Sequence, residues 1–365
     1  MSELSALDHK TLDARLLDIV AIHFDPEWGT PYWLDRAKIL GLDPRVDICT
    51  VRDLPRLGLM RPDVLLTRPI TDFIPQSLCD RMPDLIVAQT GGTLGRGVWT
   101  VYTEAEYRAA FVAPFIAAAR HVGFPSGGVW LYVGPSGPHI IARAADAIAR
   151  ETGSMTPFCV DFDVRWARKM PAGSFGNQRY LEHILDQAMD VIGAQPIDTL
   201  FSTPIVIRAL GGSMSDEQRE RIRGVHYGGM AISSEEMHCL QVERFPRAVH
   251  LSGYGNTLFG CCLELDVAPG RALRYFPHGD RILFGVVPEG EASAEGSIRY
   301  GGVGSAGRLV FSRLDRTMFL ANVLERDRVR LVGVPSDAPA EFGLAGVASP
   351  EPIVEGRNGA VLSLY

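Results

Sequence analysis

Lysine is nearly missing from this sequence: three occur in 365 residues, at Lys10, Lys38 and Lys169. Arginine carries most of the positive charge, and 43 acidic against 36 basic residues leave a formal net charge of −7 and a pI near 5.7. No run of Lys or Arg forms a local exception, so the chain offers no electropositive stretch for a phosphate backbone, and nucleic acid is not an expected partner. Also lacking is any uninterrupted apolar run long enough to span a bilayer, and Met1 to Lys10 carry neither the basic segment nor the apolar stretch of a signal peptide. The expected location is therefore the cytoplasm, with no membrane partner. Disulfide patterning is absent too. The six cysteines (Cys49, Cys79, Cys159, Cys239, Cys261, Cys262) are scattered and read as reduced, small apolar residues. One local concentration, His238, Cys239, His250, Cys261 and Cys262, has zinc-ligating residue types without a Cys-x-x-Cys pair, and it reads as core with no metal expected. What is present is a composition 46% hydrophobic and 22% charged, ample for a large core and incompatible with disorder.

Residues 1–85 read as a helical entry region, with apolar residues at helical spacing over Leu12–His23 and Tyr32–Leu40. A short apolar run at 85–89 predicts a buried strand that leads into Thr90-Gly-Gly-Thr-Leu-Gly-Arg-Gly97. A long helix is expected over Thr103–His121, with Thr103 as N-cap and Glu106 completing a capping box. Strands near 129–133 and 199–201 alternate with helices over 140–151 and 180–192, which argues for a parallel sheet in an α/β core covering 86–257. From 258 to 365 short β-like runs such as 282–287, 297–300 and 308–312, separated by Gly and Pro, predict a smaller β-rich subdomain.

The glycine-rich run has the composition of a phosphate cradle: glycines bring backbone N–H groups close to oxygens, threonine hydroxyls add donors, and Arg96 adds charge. Taken alone it reads better as a plain glycine-rich turn, and it is not a Walker loop, because no Gly-Lys-Ser/Thr ends it. In context it resembles the phosphate loop of the adenylate-forming superfamily, in particular of phenylacetate-CoA ligase-like proteins. Further segments resemble that group in its own order: Thr30-Pro-Tyr-Trp-Leu and Thr50-Val-Arg-Asp-Leu-Pro near the start; Phe201-Ser-Thr-Pro204 beside the family's acid pocket; Tyr227-Gly-Gly-Met-Ala-Ile-Ser-Ser-Glu-Glu-Met237 at its adenine-contact segment; Gly253-Tyr-Gly-Asn-Thr-Leu258 at its Tyr-Gly-x-Thr-Glu motif; and Gly307 to Asp327 at its ribose-contact stretch. The implied fold is the large N-terminal domain of an adenylate-forming enzyme: stacked mixed and parallel sheets with helices, plus a small β-rich subdomain.

The resemblance implies a nucleotide site built from Thr90, Gly91, Gly92, Thr93, Gly95 and Arg96 around the triphosphate, Gly228 and Gly229 along the adenine, Tyr254 packed beside it with Gly255 and Thr257, and Asp327 accepting the ribose hydroxyls. Arg96 and Thr93 are the expected catalytic residues, and Tyr132, His139, Thr203 and Pro204 the expected acid-binding ones. Read from chemistry alone, Tyr254 is equally a core aromatic, Asp327 a solvated charge in Glu325-Arg-Asp-Arg, and His139 equally a cap for the helix that follows it. The expected cofactor is ATP. Magnesium is in doubt, because Leu258 stands where the family has a glutamate and cannot ligate a hard cation. Met230 replaces the glutamate of Gly-Gly-Glu, and 38 residues follow Asp327, fewer than the family's mobile lid takes, so no separate lid domain is expected.

The expected function is ATP-dependent activation of a small aromatic or otherwise hydrophobic carboxylic acid as an acyl-adenylate, followed by transfer to an amine or to a carrier or protein thiol. The partners this reading admits are the acid itself, a stand-alone lid domain or carrier protein, and a second copy in a homodimer. The competing reading is a non-catalytic or repurposed ligand-binding or scaffold descendant of the same family.

Overall fold

The computed structural model describes residues 9–91, 97–171, 173–288 and 299–353. The described residues divide into two compact units, one of 9–90, 97–110, 276–288 and 299–353, the other of 91 and 111–275.

In the first unit the helix His9–His23 buries Leu12, Leu16, Ile19 and Val20, the one-sided spacing of an amphipathic helix. Helix Pro31–Leu40 starts with Pro at its first turn, where the missing N–H costs nothing, and ends on Gly41 at φ 63°. β1 (Ile86–Gln89) and β2 (Trp99–Tyr102) pair antiparallel, Gln89 opposite Trp99. The glycine-rich run therefore joins two strands of a hairpin. After β2 the capping box forms as read, with the Thr103 hydroxyl accepting from Glu106 N and the Glu106 carboxylate accepting from Thr103 N. The expected long helix is interrupted, running α over Glu104–Tyr107, π over Arg108–Val112 and α again over Ala113–Val122. Pro114 accounts for the wide turn, since it has no N–H to give to the carbonyl four residues back and its ring crowds that carbonyl.

The second unit is built on β3 (Trp130–Val133), β4 (Phe158–Val160), β5 (Thr199–Ser202), β6 (Gly224–Tyr227), β7 (Val249–Asn256) and β8 (Gly260–Leu263), in the order β4-β3-β5-β6-β7-β8. The first five run parallel; β7 then turns its second half into an antiparallel hairpin with β8. β3, β5 and β6 are buried over their whole length, as expected of a parallel sheet covered on both faces. Helices Ile140–Glu151, Phe175–Ala194 and Pro204–Ser213 connect them. The short strand β9 (Arg274–Tyr275) closes this stretch of chain.

The remainder of the first unit is an antiparallel sheet of β10 (Ile282–Val287), β11 (Ala306–Leu314), β12 (Phe319–Val332) and β13 (Gly346–Pro352). A bulge in β12 places Asn322 at φ 54°, and its buried amide donates to Leu54 O and Gly58 O, which tie the entry helices to the strand. Trp33 Nε1 donates to Phe319 O, and Asp315, wholly buried, is held between the guanidinium groups of Arg281 and Arg313. Burial pushes the Asp315 carboxyl up, but the two arginines more than offset it and bring it down to about 2. Among the described residues no helix is long and apolar enough to cross a membrane.

Candidate functional site

In the second unit the strand register sets Val133, Ser202, Tyr227 and Ser252 side by side. The chain that leaves the carboxyl ends of β3, β5 and β6 therefore emerges along one edge, where open α/β sheets bind their ligands. Gly134 to His139 follow β3, Thr203 and Pro204 follow β5, and Gly228 and Gly229 follow β6, while Tyr254, Gly255 and Thr257 continue from the same end of the parallel part of β7. Eight residues expected to bind nucleotide or acid thus share one sheet edge.

Local chemistry fixes each segment. Gly134 leaves room for Tyr132 to fold back: a Cβ at Gly134 would lie 2.4 Å from the Tyr132 hydroxyl, which donates to Pro135 O at 2.9 Å. His139, 7% exposed, takes the N-cap position of Ile140–Glu151 without a side-chain cap bond, so the capping alternative is not what fixes its ring. Thr203 likewise precedes Pro204 at the start of a helix, and the Ser202 hydroxyl donates to Val133 O at 2.5 Å, pinning β5 to β3. Gly228 N donates to Ser202 O at 3.2 Å, and a Cβ at Gly228 would press on Phe201. Gly229 sits at φ 82°, a conformation that side chains resist. These features fit the approach of a flat ring to bare backbone.

Tyr254 is half-buried against Phe259 and Tyr275, ring centroids 6.0 and 5.8 Å away. The hairpin beyond it closes through Asn256, whose side-chain oxygen accepts from Leu258 N and Phe259 N. Thr257 is half-buried in that turn, and Leu258, 3% exposed, faces the interior. An apolar, buried side chain at this position does not fit a magnesium ligand.

Thr90 ends β1 in the first unit. Its N–H donates to Val98 O, and its hydroxyl accepts from Val98 N, both at 2.9 Å, which closes the base of the glycine-rich loop. A Cβ at Gly97 would lie 2.4 Å from Thr90 O, so only glycine lets the loop return so tightly. Gly91 continues from Thr90; Gly92, Thr93, Gly95 and Arg96 lie outside the described residues. Asp327 lies on β12 opposite Pro352 of β13 and is half-buried.

The zinc-type residues hold no metal cluster among the described residues. His250 spends both ring nitrogens, Nε2 on Phe245 O at 3.0 Å and Nδ1 on the Tyr227 hydroxyl at 2.6 Å. The histidine that sequence reasoning passed over is His226, third residue of β6 and 3% exposed, with Phe201 and Phe115 against its ring at centroid distances of 4.3 and 4.8 Å. A single histidine in a four-residue apolar strand carries no motif, so only its surroundings mark it.

No protein-family model matches the chain, and no curated protein matches it in sequence. Solved structures do match. 2-Hydroxyisobutyryl-CoA ligase, in complex with 2-HIB-AMP and CoA in its thioesterification state, is similar with a TM-score of 0.68 over 96% of this chain and 70% of the ligase chain, at 14% identity. Its postadenylation state with R3-HIB-AMP gives 0.66 over 94% and 67%, and an open conformation gives 0.65 over 94% and 75%, both at 14% identity. The chain has the mixed α/β fold of the N-terminal domain of adenylate-forming enzymes.

Proposed function

We propose that this chain binds ATP and a small organic acid and joins them as an acyl-adenylate. The observation that carries the reading is the convergence of Thr203-Pro204, Gly228-Gly229 and Tyr254-Gly255 at the carboxyl ends of adjacent parallel strands, on a fold otherwise used by a ligase described with an acyl-AMP. In this reading Gly228 and Gly229 line the adenine, Tyr254 packs beside it, and Asp327 accepts two hydrogen bonds from the ribose diol. A carboxylate oxygen of the acid attacks the α-phosphorus, the bond from that phosphorus to its bridging oxygen breaks, and pyrophosphate leaves. Arg96, with Thr93 and the loop N–H groups, neutralises the charge that develops on the phosphates. The acid lies along Tyr132, His139, Thr203 and Pro204, whose apolar surroundings suit an aromatic or otherwise hydrophobic body. An amine, or a carrier or protein thiol, then attacks the acyl carbon and gives up its proton, the bond from that carbon to the phosphate oxygen breaks, and AMP leaves. No step is assigned to magnesium, because Leu258 is buried and apolar.

Leu258 also favours the second reading, a ligand-binding descendant that no longer turns over ATP. Calorimetric titration with ATP and AMP, with and without Mg²⁺, separates the two. Binding that disappears in an Arg96→Ala, Asp327→Ala variant, together with acid-dependent pyrophosphate release, is the expected result. Binding without release under any acid leaves the second reading, and no binding at millimolar nucleotide removes the ATP-dependent one in favour of a repurposed pocket or a scaffold role.

A further inference from the structure

We propose that Tyr275 is a positioning residue for the nucleotide: it holds the Tyr254 ring where the adenine packs against it, and so sets how much the base adds to binding. This role rests on the nucleotide reading above and deepens it with a residue that no sequence motif marks.

Strand geometry puts the pieces on one side. Side chains two apart along a strand share a face, so Ser252 and Tyr254 of β7 point the same way. Tyr275, on the short strand β9, spans both of them. Its hydroxyl shares a hydrogen bond with Ser252 Oγ at 3.0 Å, and its ring lies against Tyr254 with centroids 5.8 Å apart and planes at 38°. At that spacing an aromatic pair contributes beyond the area it buries. Cys262 stands directly opposite Tyr254 in the β7–β8 hairpin and is too small to carry a ring, so Tyr254 leans on Tyr275 and Phe259 instead.

Tyr275 can hold another ring because it is itself fixed. It is 3% exposed, and burial pushes its phenol above the usual value, so the hydroxyl stays protonated and keeps its bond to Ser252 near neutral pH. Ser252 in turn gives its N–H to Glu264 Oε2 at 3.0 Å and accepts from Glu264 N at 3.3 Å. Arg271 closes the chain with two bonds to that carboxylate, at 2.6 and 2.9 Å, and a third from Nη1 to Ala268 O at 3.1 Å. A phenol tied through Ser252 to a buried ion pair cannot swing away without breaking a hydrogen bond in the interior. Phe259 has no such anchor, since its side chain carries no polar group. Tyr254 is half-buried, with part of its surface open. A ring held in place before the ligand arrives avoids the ordering cost that a loose one adds to binding.

The test is calorimetric titration of the full chain with AMP, for wild type, Tyr254→Leu, Tyr275→Leu and the variant carrying both. Tyr275→Leu is expected to weaken AMP about three- to tenfold in the wild-type background and hardly at all once Tyr254 is replaced, since the effect runs through that ring. Tyr275→Phe, which keeps the ring and loses the anchor, falls between wild type and Tyr275→Leu. A merely structural role would weaken AMP by the same factor in both backgrounds, and that result overturns the proposal. Unchanged AMP affinity in Tyr275→Leu overturns it too. Should a variant fail to fold, or bind too weakly to measure, wild type with 13C-labelled tyrosine rings decides. AMP then moves the Tyr254 and Tyr275 signals together, and a moved Tyr254 beside an unmoved Tyr275 sinks the positioning role alone. If wild type binds no AMP, or Tyr254→Leu binds it as tightly as wild type, the nucleotide reading itself fails and takes the positioning role with it.

Discussion

Glu264 and Arg271 are shut away together in the second unit, each side chain 3% exposed or less. Both Glu264 oxygens accept from the guanidinium, and one also accepts from Ser252 N. Burial raises Glu264 to about 7 even so, Arg271 offsetting only part of the penalty. Arg271→Met is expected to cost about 3–5 kcal/mol, because it strands a buried carboxylate that must then take up a proton; urea unfolding at pH 8 and at pH 5 checks this, with the larger loss at pH 8. Tyr227→Phe is a milder test. It leaves His250 Nδ1 buried without its donor, and a loss of about 1–3 kcal/mol is expected in the same assay.

At the scale of elements, glycine positions carry the sharpest expectations. A Cβ at Gly255 would lie 2.0 Å from Gly260 O across the β7–β8 hairpin, so Gly255→Ala must displace backbone. Loss of the cooperative melt, or of soluble protein, is the expected outcome, and an unchanged melting temperature would refute the hairpin as described. Thr103→Ala removes one half of a capping box and is expected to cost about 1 kcal/mol, read from the shift in denaturation midpoint. Much at this scale was legible beforehand. Helix Ile140–Glu151 and strand β10 fall where periodicity and composition put them, because each presents one unbroken pattern. β2 was not legible, since four residues directly after a glycine-rich run look like the continuation of a loop. Nor was the 14-residue length of β12, whose second half alternates charges with apolar residues and reads as a solvated cluster. The candidate site divides the same way. Glycine pairs announce a backbone that something approaches, so Gly228 and Gly229 could be singled out; the packing of Phe115 and Phe201 on His226 could not, because it arises only when the neighbouring strands are in place.

For the whole molecule, three histidines dominate the response to acid. His23, His226 and His250 are buried and lowered to about 4, burial being the first cause in each. Their unfolded forms take up protons near 6.5, so between pH 6.5 and 4 the unfolded chain binds more protons and stability falls as pH falls. From pH 7 to 5 each contributes a loss of about 2 kcal/mol. Glu264 acts in the opposite sense over the same window, its folded value being raised, and cancels roughly one histidine. The melting temperature is therefore expected to drop from pH 7 to pH 5 in a thermal unfolding series; a rise would mean that the carboxyl outweighs the rings.

Unit one is also discontinuous in the sequence. Its first helix and its entry segment hold on to residues almost the whole chain away: Arg15 to Leu314 O, His23 to Asp315 O, Trp33 to Phe319 O. During synthesis these apolar faces are made first and have nothing to rest on until some 260 to 300 residues later. At about 5–20 residues per second that is a wait of roughly 15–60 seconds. Residues 111–275 have their own strands in hand well before then. A ribosome halted once residue 275 has emerged should hold a protease-resistant middle and a protease-sensitive beginning, so that the oldest part of the newborn chain is the last to find its shape.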